Sequence, residues 1–295
     1  MSSATQRYVD MWVLLGMHPT NLEILQQLKS ADDRQFGANM DVCGTISERD
    51  PKTDCWEEVC MAGLRSDIWN PDEAELKKTV KALRAQRRKH SPRKANKSAG
   101  SSNGKDSRAV DKLEAAESTK LSSGDIEKRR LVTKLFRTTG ENIRWTGTIE
   151  ELTTREVHNS IGSKHPLLSM VAILPGYEYL TLVQQNHRTF RFPSLYTLCF
   201  HDEANERTWY VNIKRKWFSL GADYVVESEG RQIGEIDGKL IGFGYNAYVT
   251  VTEPTLAANG HFMDLLTLFA TSVGYHRAMR RSIRRRVAAT RSGQT

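Results

Sequence analysis

A segment near the end of the sequence is hydrophobic around its whole circumference. Residues 262–275 include Phe262, Leu265, Leu266, Phe269 and Val273. On a helix these side chains point in every direction, so the helix must be buried in protein or in lipid. At 1.5 Å per residue the segment spans about 21 Å, which is short of the roughly 30 Å hydrocarbon core of a bilayer. We therefore expect a helix enclosed by the rest of the chain.

The residues before this helix have the pattern of short strands. From about residue 143 apolar and polar residues alternate, and apolar runs recur at 170–174, 179–183, 195–200 and 209–213. Many short strands separated by turns are typical of an antiparallel sandwich or barrel. Since a wide barrel needs something to fill it, we expect these strands to close around the apolar helix.

Two short segments separate apolar runs within this region. Ser228-Glu229-Gly230 lies between one pair of runs, and Asp237-Gly238 lies between the next. An Asp-Gly pair between alternating apolar runs is a strong signal for a two-residue turn.

The first part of the chain predicts a small helical module over residues 1–88. Thr20 or Asn21 would cap one helix, residues 55–64 would form a second, and Asn70-Pro71 would begin a third. The module carries no chemical signature, and we expect it to bind a protein partner. The overall fold class is therefore α+β, with this module preceding a closed antiparallel barrel over residues 131–276.

The positive charge of the chain lies in two short segments. The formal net charge is +8, but residues 1–80 carry −6, residues 81–130 carry +9, residues 131–276 carry −2 and residues 277–295 carry +7. A uniformly basic nucleic-acid-binding domain is therefore disfavoured. Any polyanionic partner is expected to bind one or both basic segments.

The first basic segment predicts a disordered linker over residues 89–130, because large apolar residues are nearly absent from it. A cluster of cations at its start has the composition of a nuclear-localisation or polyanion-binding sequence, and a solvated spacer is the alternative. The cluster consists of Arg87, Arg88, Lys89, Arg93 and Lys94.

The sequence offers no catalytic, cofactor or metal site. Its four cysteines, Cys43, Cys55, Cys60 and Cys199, lack the close paired spacings of zinc ligands. With no signal peptide and no predicted transmembrane helix, they are expected to be reduced thiols in the cytoplasm or nucleus, with Cys199 in the core. The histidines are scattered, and no nucleophile or phosphate-loop motif is present. We expect a protein that is not an enzyme.

Asp264 is the one charged residue inside the apolar helix. Such a charge needs a partner, a position at the helix N-terminus, or a raised pKa. Because it stands in the first turn, we expect it to stabilise the exposed N–H groups there.

Several of these features together resemble a known superfamily. A strand over residues 210–216 ends in basic residues, the step Phe218-Ser219-Leu220 follows, and a glycine-containing strand covers residues 233–239. With the apolar helix at about 262–276, this resembles the tubby C-terminal-like superfamily, and most of all its LURP-one-related proteins, over roughly residues 140–280. The resemblance implies a twelve-stranded antiparallel barrel around a central C-terminal helix, and basic surface residues that bind phosphoinositides.

Two groups of cations are the candidate sites for lipid or another anion. On the strand, Val211 and Ile213 are expected to point inward and Asn212 outward, together with Lys214 and Lys216. In the tail over residues 277–295, Met279, Ile283 and Val287 recur every four residues between arginines, as in a helix lying on an anionic membrane. The candidate residues are Lys214, Arg215, Lys216, Arg277, Arg280, Arg281, Arg284, Arg285 and Arg286.

The first functional hypothesis is therefore a non-enzymatic barrel protein that associates with anionic membranes or phosphoinositides as an adaptor. The alternative is a nuclear or nucleic-acid-associated protein that uses both basic segments. A scramblase-like lipid-handling role is a further alternative, although the acidic calcium-loop signature of scramblases is absent. The sequence names neither the ligand nor the pathway.

Overall fold

Strands from the beginning and the end of the chain pair with each other in the computed structural model. The structure describes residues 5–11, 40–50, 53–65, 69, 130–139, 142–163, 165–187, 194–217, 222–241 and 244–292. Among them are twelve strands: β1 (Thr5–Met11), β2 (Met40–Arg49), β3 (Trp56–Arg65), β4 (Val132–Thr139), β5 (Asn142–Glu151), β6 (Ser169–Ile173), β7 (Thr181–Gln185), β8 (Leu195–Asp202), β9 (Arg207–Arg215), β10 (Tyr224–Ser228), β11 (Arg231–Ile241) and β12 (Gly244–Val251). The described helices are α1 (Thr153–Ile161), α2 (Pro254–Ala257), α3 (Gly260–Val273) and α4 (His276–Arg291).

The sheet is a closed antiparallel barrel. Each strand pairs with its neighbours in sequence, and β1 pairs with β12 from Thr5 opposite Val251 to Met11 opposite Tyr245. Closure leaves no free sheet edge, which removes the usual site of edge-to-edge aggregation. The predicted closed antiparallel barrel is confirmed.

Helix α3 fills the barrel. Every residue from Phe262 to Val273 is buried. The Phe262 ring packs on Phe200 of β8 at 5.1 Å between centroids, and the Phe269 ring packs on Tyr224 of β10 at 5.6 Å. Each large apolar side chain buried in this way contributes about 2 kcal/mol. The enclosed helix is confirmed, but it ends at Val273 and a new helix begins at His276.

The N-terminal prediction of a helical module is wrong where the structure describes it. Residues 55–64 were expected to be helical, yet β3 covers Trp56–Arg65 and points Cys60, Ala62 and Leu64 into the core. Their spacing fits a period of two as well as a helix, and pairing with β2 and β4 decides between them. Three barrel strands lie within the first 65 residues, so the barrel is not confined to 131–276. The other two predicted helices, near residues 20–28 and 70–83, lie outside the described residues.

The predicted two-residue hairpin turn at Asp237-Gly238 is wrong, and the chain turns instead within the earlier segment Ser228-Glu229-Gly230. Glu229 and Gly230, with φ of 53° and 77°, connect β10 to β11 in the left-handed conformation that this turn requires. Asp237-Gly238, by contrast, lies inside β11. Glycine is needed there for space, because a Cβ at Gly238 would lie 2.6 Å from the Ala222 carbonyl oxygen and 2.7 Å from the Tyr245 hydroxyl.

A buried ion pair joins the first strand to the central helix. An Arg7 Nη1 of β1 donates to Asp264 Oδ1 of α3 at 2.5 Å and to Thr267 Oγ1 at 3.3 Å. Arg7 Nε donates to Glu48 of β2 at 3.1 Å. The pKa of the Arg7 guanidinium is raised, because the attraction of Asp264 and Glu48 outweighs the desolvation caused by burial. The partner that Asp264 requires is thus an arginine 257 residues away in sequence, instead of the N–H groups of its own helix.

Breaking this pair on one side should destabilise the fold strongly. Asp264→Leu leaves the buried Arg7 charge without its closest partner and should lower the free energy of unfolding by about 3–5 kcal/mol. The double variant Arg7→Met/Asp264→Leu buries no unpaired charge, so its free energy of unfolding should fall less than that of Asp264→Leu. Urea titrations measure both values. As a control, Arg49→Ala removes the exposed pair with Asp54 and should cost less than about 1 kcal/mol. A loss for Asp264→Leu no larger than that of the control would contradict the assignment.

Candidate anion-binding face on helix α4

Helix α4 follows α3 at one end of the barrel and lies with its apolar side on the core. Met279 and Ile283 are fully buried and Val287 nearly so, and all three belong to the barrel's hydrophobic cluster. The predicted amphipathic helix therefore exists. Its apolar stripe is covered by the protein itself, so the expectation that this stripe lies in a membrane is wrong.

Arg286 is the one arginine of α4 that lies inside the protein. Its Nη1 donates to Glu151 Oε1 at 2.7 Å and lies 3.4 Å from Glu156 Oε2 of α1. Both carboxylates are completely buried, and burial together with the neighbouring Glu151 raises the pKa of Glu156 well above 4.5. Arg286 was predicted to bind lipid; instead it anchors α4 to α1 and β5, and its guanidinium is occupied.

Arg280 stands at the outer end of a series of buried, hydrogen-bonded side chains at the same end of the barrel. Its guanidinium donates to the Tyr196 hydroxyl at 3.1 Å, and that oxygen lies 3.1 Å from His276 Nδ1. His276 Nε2 lies 3.1 Å from Ser272 Oγ, which itself donates to the Phe269 carbonyl. Because the Ser272 proton is used in that bond, His276 Nε2 donates to the Ser272 oxygen. The Tyr196 hydroxyl, which accepts from Arg280, can donate its own proton to Nδ1, and this arrangement suits a neutral imidazole.

Two positive charges act on this imidazole. Burial, Arg280 and Arg215 all lower the pKa of His276 well below 6.5. Arg215 comes from the end of β9, so the fold brings together two of the predicted anion-binding residues that lie far apart in the sequence. An anion placed at this point would be attracted by both guanidinium groups.

Lys214 of β9 and Lys216, just after the end of that strand, already have partners. Val211 and Ile213 point inward as predicted, and Lys214 and Lys216 lie on the outer wall. There Lys214 is ion-paired with Glu227, and Lys216 with Glu235 at 3.3 Å. Carboxylates thus already offset both charges, and an anion would have to compete with them.

The remaining arginines of α4 lie nearer the surface: Arg277, Arg284, Arg285 and Arg291 are exposed, and Arg280 and Arg281 are half-buried. We call them the arginine cap: Arg277, Arg280, Arg281, Arg284, Arg285 and Arg291. The helix itself contains no acidic residue. Arg291 also donates to the Ile161 carbonyl at the end of α1, which joins the last turn of α4 to α1.

Trp217 is a candidate site residue that the sequence pattern did not single out. It follows Lys216 directly at the end of β9, and 68% of its side chain is exposed. The start of β8, the end of β9 and the start of β10 meet at the end of the barrel where α4 lies. An exposed tryptophan after a basic strand end was the available signal, since such residues favour membrane interfaces.

A groove of about 760 Å³ lies beside α1. Its lining combines Arg130, Arg155 and His158 with Glu150 and Glu151, and Arg130 is paired with Glu150 at 2.5 Å. The groove has mixed charge, so it does not extend the anion preference of the arginine cap.

The four cysteines and the nuclear-localisation-like cluster are the remaining candidate residues. Cys43 and Cys60 are buried, while Cys55 and Cys199 are exposed. Cys199 was expected in the core, but the alternation of β8 points Leu198 and Phe200 inward instead. The described residues contain no cluster of potential metal ligands. The nuclear-localisation-like cluster Arg87, Arg88, Lys89, Arg93 and Lys94 lies outside the described residues.

Comparisons with protein-family models, with curated proteins and with solved structures returned no match. Within the described ranges, none of the helices is long and apolar enough to cross a bilayer.

The neutral His276 should make stability depend on pH. Because its pKa is depressed in the folded state, the unfolded chain binds a proton first, and stability is lost as the pH falls below about 6.5. One such group contributes at most about 1.4 kcal/mol per pH unit. Urea titrations at neutral and mildly acidic pH should therefore show a smaller loss for His276→Gln than for the wild type. Equal slopes for the two proteins would contradict a buried neutral imidazole.

Proposed function

We propose that the protein is a non-enzymatic barrel that associates with anionic membrane surfaces through the arginine cap. The observation that carries the proposal is the orientation of α4. Met279, Ile283 and Val287 are buried against the barrel, four of the seven arginines are exposed and two are half-exposed, and the helix itself carries no acidic residue. A rigid cationic surface of this kind attracts lipid headgroups without inserting a helix.

The magnitude of the attraction is sufficient for reversible binding. A basic residue close to an anionic leaflet contributes about 1 kcal/mol. Six arginines at this end of the barrel would therefore hold the protein at low salt and release it at high salt. The binding would be electrostatic, since Met279, Ile283 and Val287 are not available to lipid.

Trp217 favours a membrane over a nucleic acid as the partner. A largely exposed indole beside Lys216, at the end of the barrel that carries α4, is suited to the headgroup region of a bilayer. The resemblance to the tubby-like and LURP-one-related barrels supports the same proposal, because basic surface residues of tubby-like relatives bind phosphoinositides. A phosphoinositide headgroup near Arg215 and Arg280 is the specific ligand that we propose.

Vesicle co-sedimentation tests the proposal. The full chain should bind phosphatidylcholine vesicles that contain phosphatidylserine, bind more strongly when a phosphoinositide replaces it at equal charge, and dissociate in high salt. Arg284→Ala/Arg285→Ala should weaken binding by about 2 kcal/mol, or about 30-fold. Trp217→Ala should weaken it further without changing the salt dependence.

The matched control is Arg144→Ala/Arg231→Ala, which removes two exposed arginines from other parts of the barrel. Equal losses for the two double variants would show that only net charge matters and would contradict a role for the arginine cap. Tighter binding to a DNA duplex than to the vesicles at the same salt concentration would favour the nucleic-acid alternative.

A further inference from the structure

A row of side chains in register crosses five adjacent strands on the outside of the barrel. Glu58 of β3 is opposite Ser47 of β2, which is opposite Tyr8 of β1. Tyr8 is opposite Tyr248 of β12, which is opposite Asp237 of β11. An acidic residue thus stands at each end of the row and aromatic residues occupy its middle.

The aromatic residues form an exposed cluster. Trp56 leans over the row from β3, and its ring centroid lies 6.1 Å from that of Tyr8 and 5.7 Å from that of Tyr248. The Tyr8 and Tyr248 centroids are 5.0 Å apart. Trp56 is 40% exposed and Tyr248 38%. The rings pack on one another, so they offer outward faces and edges instead of a closed cage.

The acidic residues at the two ends are solvent-exposed and lack ion-pair partners in the described ranges. This holds for Glu58 and Asp237, and also for Glu57 beside Trp56. Arg49 of β2, which stands opposite Trp56, is ion-paired with Asp54. Four strand spacings separate Glu58 from Asp237, which is roughly 19 Å measured along the curved sheet. This surface, composed of Glu58, Tyr8, Trp56, Tyr248 and Asp237, is the acidic aromatic wall.

We propose that the acidic aromatic wall binds an arginine-containing polypeptide segment of another protein. A guanidinium would stack on the Trp56–Tyr248 cluster, and basic residues on either side would pair with Glu58 and Asp237. Arginine is favoured over lysine because its planar group stacks on aromatic faces and binds carboxylates with two parallel hydrogen bonds.

The spacing of the wall defines the segment further. An extended chain rises about 3.3 Å per residue, so positions three residues apart are about 10 Å apart. Arginines at every third position would meet Glu58, the aromatic cluster and Asp237 in turn. The wall is built from different residues than the arginine cap, so one molecule would hold a basic partner and a membrane through separate surfaces.

Fluorescence anisotropy with labelled peptides and the full chain tests the proposal. The probe is Arg-Gly-Gly-Arg-Gly-Gly-Arg, compared with a peptide that has the same composition but three adjacent arginines, and with the lysine equivalent. The spaced arginine peptide should bind about fivefold more tightly than the other two. Trp56→Leu, which keeps an apolar side chain at this position, should weaken its binding about fivefold, and Glu58→Gln/Asp237→Asn by a similar factor.

Matched controls separate the wall from net charge and from folding. Glu203→Gln/Glu206→Gln removes two exposed acidic residues elsewhere and should leave the affinity unchanged, whereas Lys239→Gln, next to the wall on β11, should raise it about twofold. Unchanged thermal unfolding of Trp56→Leu would show that its fold is intact.

Three outcomes would overturn the proposal. The first is equal affinity of Trp56→Leu and the wild type for the spaced arginine peptide. The second is an equal loss of that affinity in Glu58→Gln/Asp237→Asn and in Glu203→Gln/Glu206→Gln. The third is self-association of the full chain that Trp56→Leu abolishes, because the occupant of the wall would then be a second copy.

Discussion

The ion pair between Arg7 and Asp264 is the constraint on which the rest of the structure depends. An apolar helix can fill a barrel only if the one charge it carries is neutralised. That charge is neutralised from β1, the strand that also closes the barrel by pairing with β12. One side chain therefore fixes the depth of α3 and attaches the closing strand to it. Helix α4 begins three residues after α3 ends, so the position of its first turn depends on that of α3.

The arginine cap shows how an amphipathic helix can mislead. The spacing of Met279, Ile283 and Val287 describes a helix with one apolar side, but it does not say whether that side meets lipid or protein. Arg286 decides between lipid and protein, because its ion-pair partners Glu151 and Glu156 are buried in the protein. These ion pairs hold α4 against the barrel. The same residues then present the remaining arginines outward. A helix with the composition of a membrane-bound segment thus forms a rigid charged surface on the barrel.

The sequence predicted the barrel and its central helix because their patterns are local. The apolar circumference of α3 and the period-two runs of β6 to β10 lie within single elements. The first strands were missed because Cys60, Ala62 and Leu64 fit two periods, and only the non-local partners of β3 decide between them. The turn prediction at Asp237-Gly238 was wrong for a similar reason. Glycine is required at position 238 because Tyr245 and Ala222 approach it closely, and not because the chain turns there.

The candidate sites show the same contrast between local pattern and non-local contacts. Composition alone identified the arginines, but pairing determines which of them remain accessible to a ligand: Lys214 and Lys216 have carboxylate partners and Arg286 is buried. The row from Glu58 to Asp237 has no sequence signature, because its five residues come from five strands.

The pairing of β1 with β12 has a consequence for how the chain is made. Gln6 and Thr250, which share a side-chain hydrogen bond across this ladder, are separated by 244 residues of sequence. During synthesis β1 emerges first and must wait for the last strand and for the helix that fills the interior. Contacts this distant in sequence form slowly and expose apolar strands in the meantime. In a nascent chain of this protein the inward faces of the earlier strands therefore stay uncovered until β12 and α3 have left the ribosome.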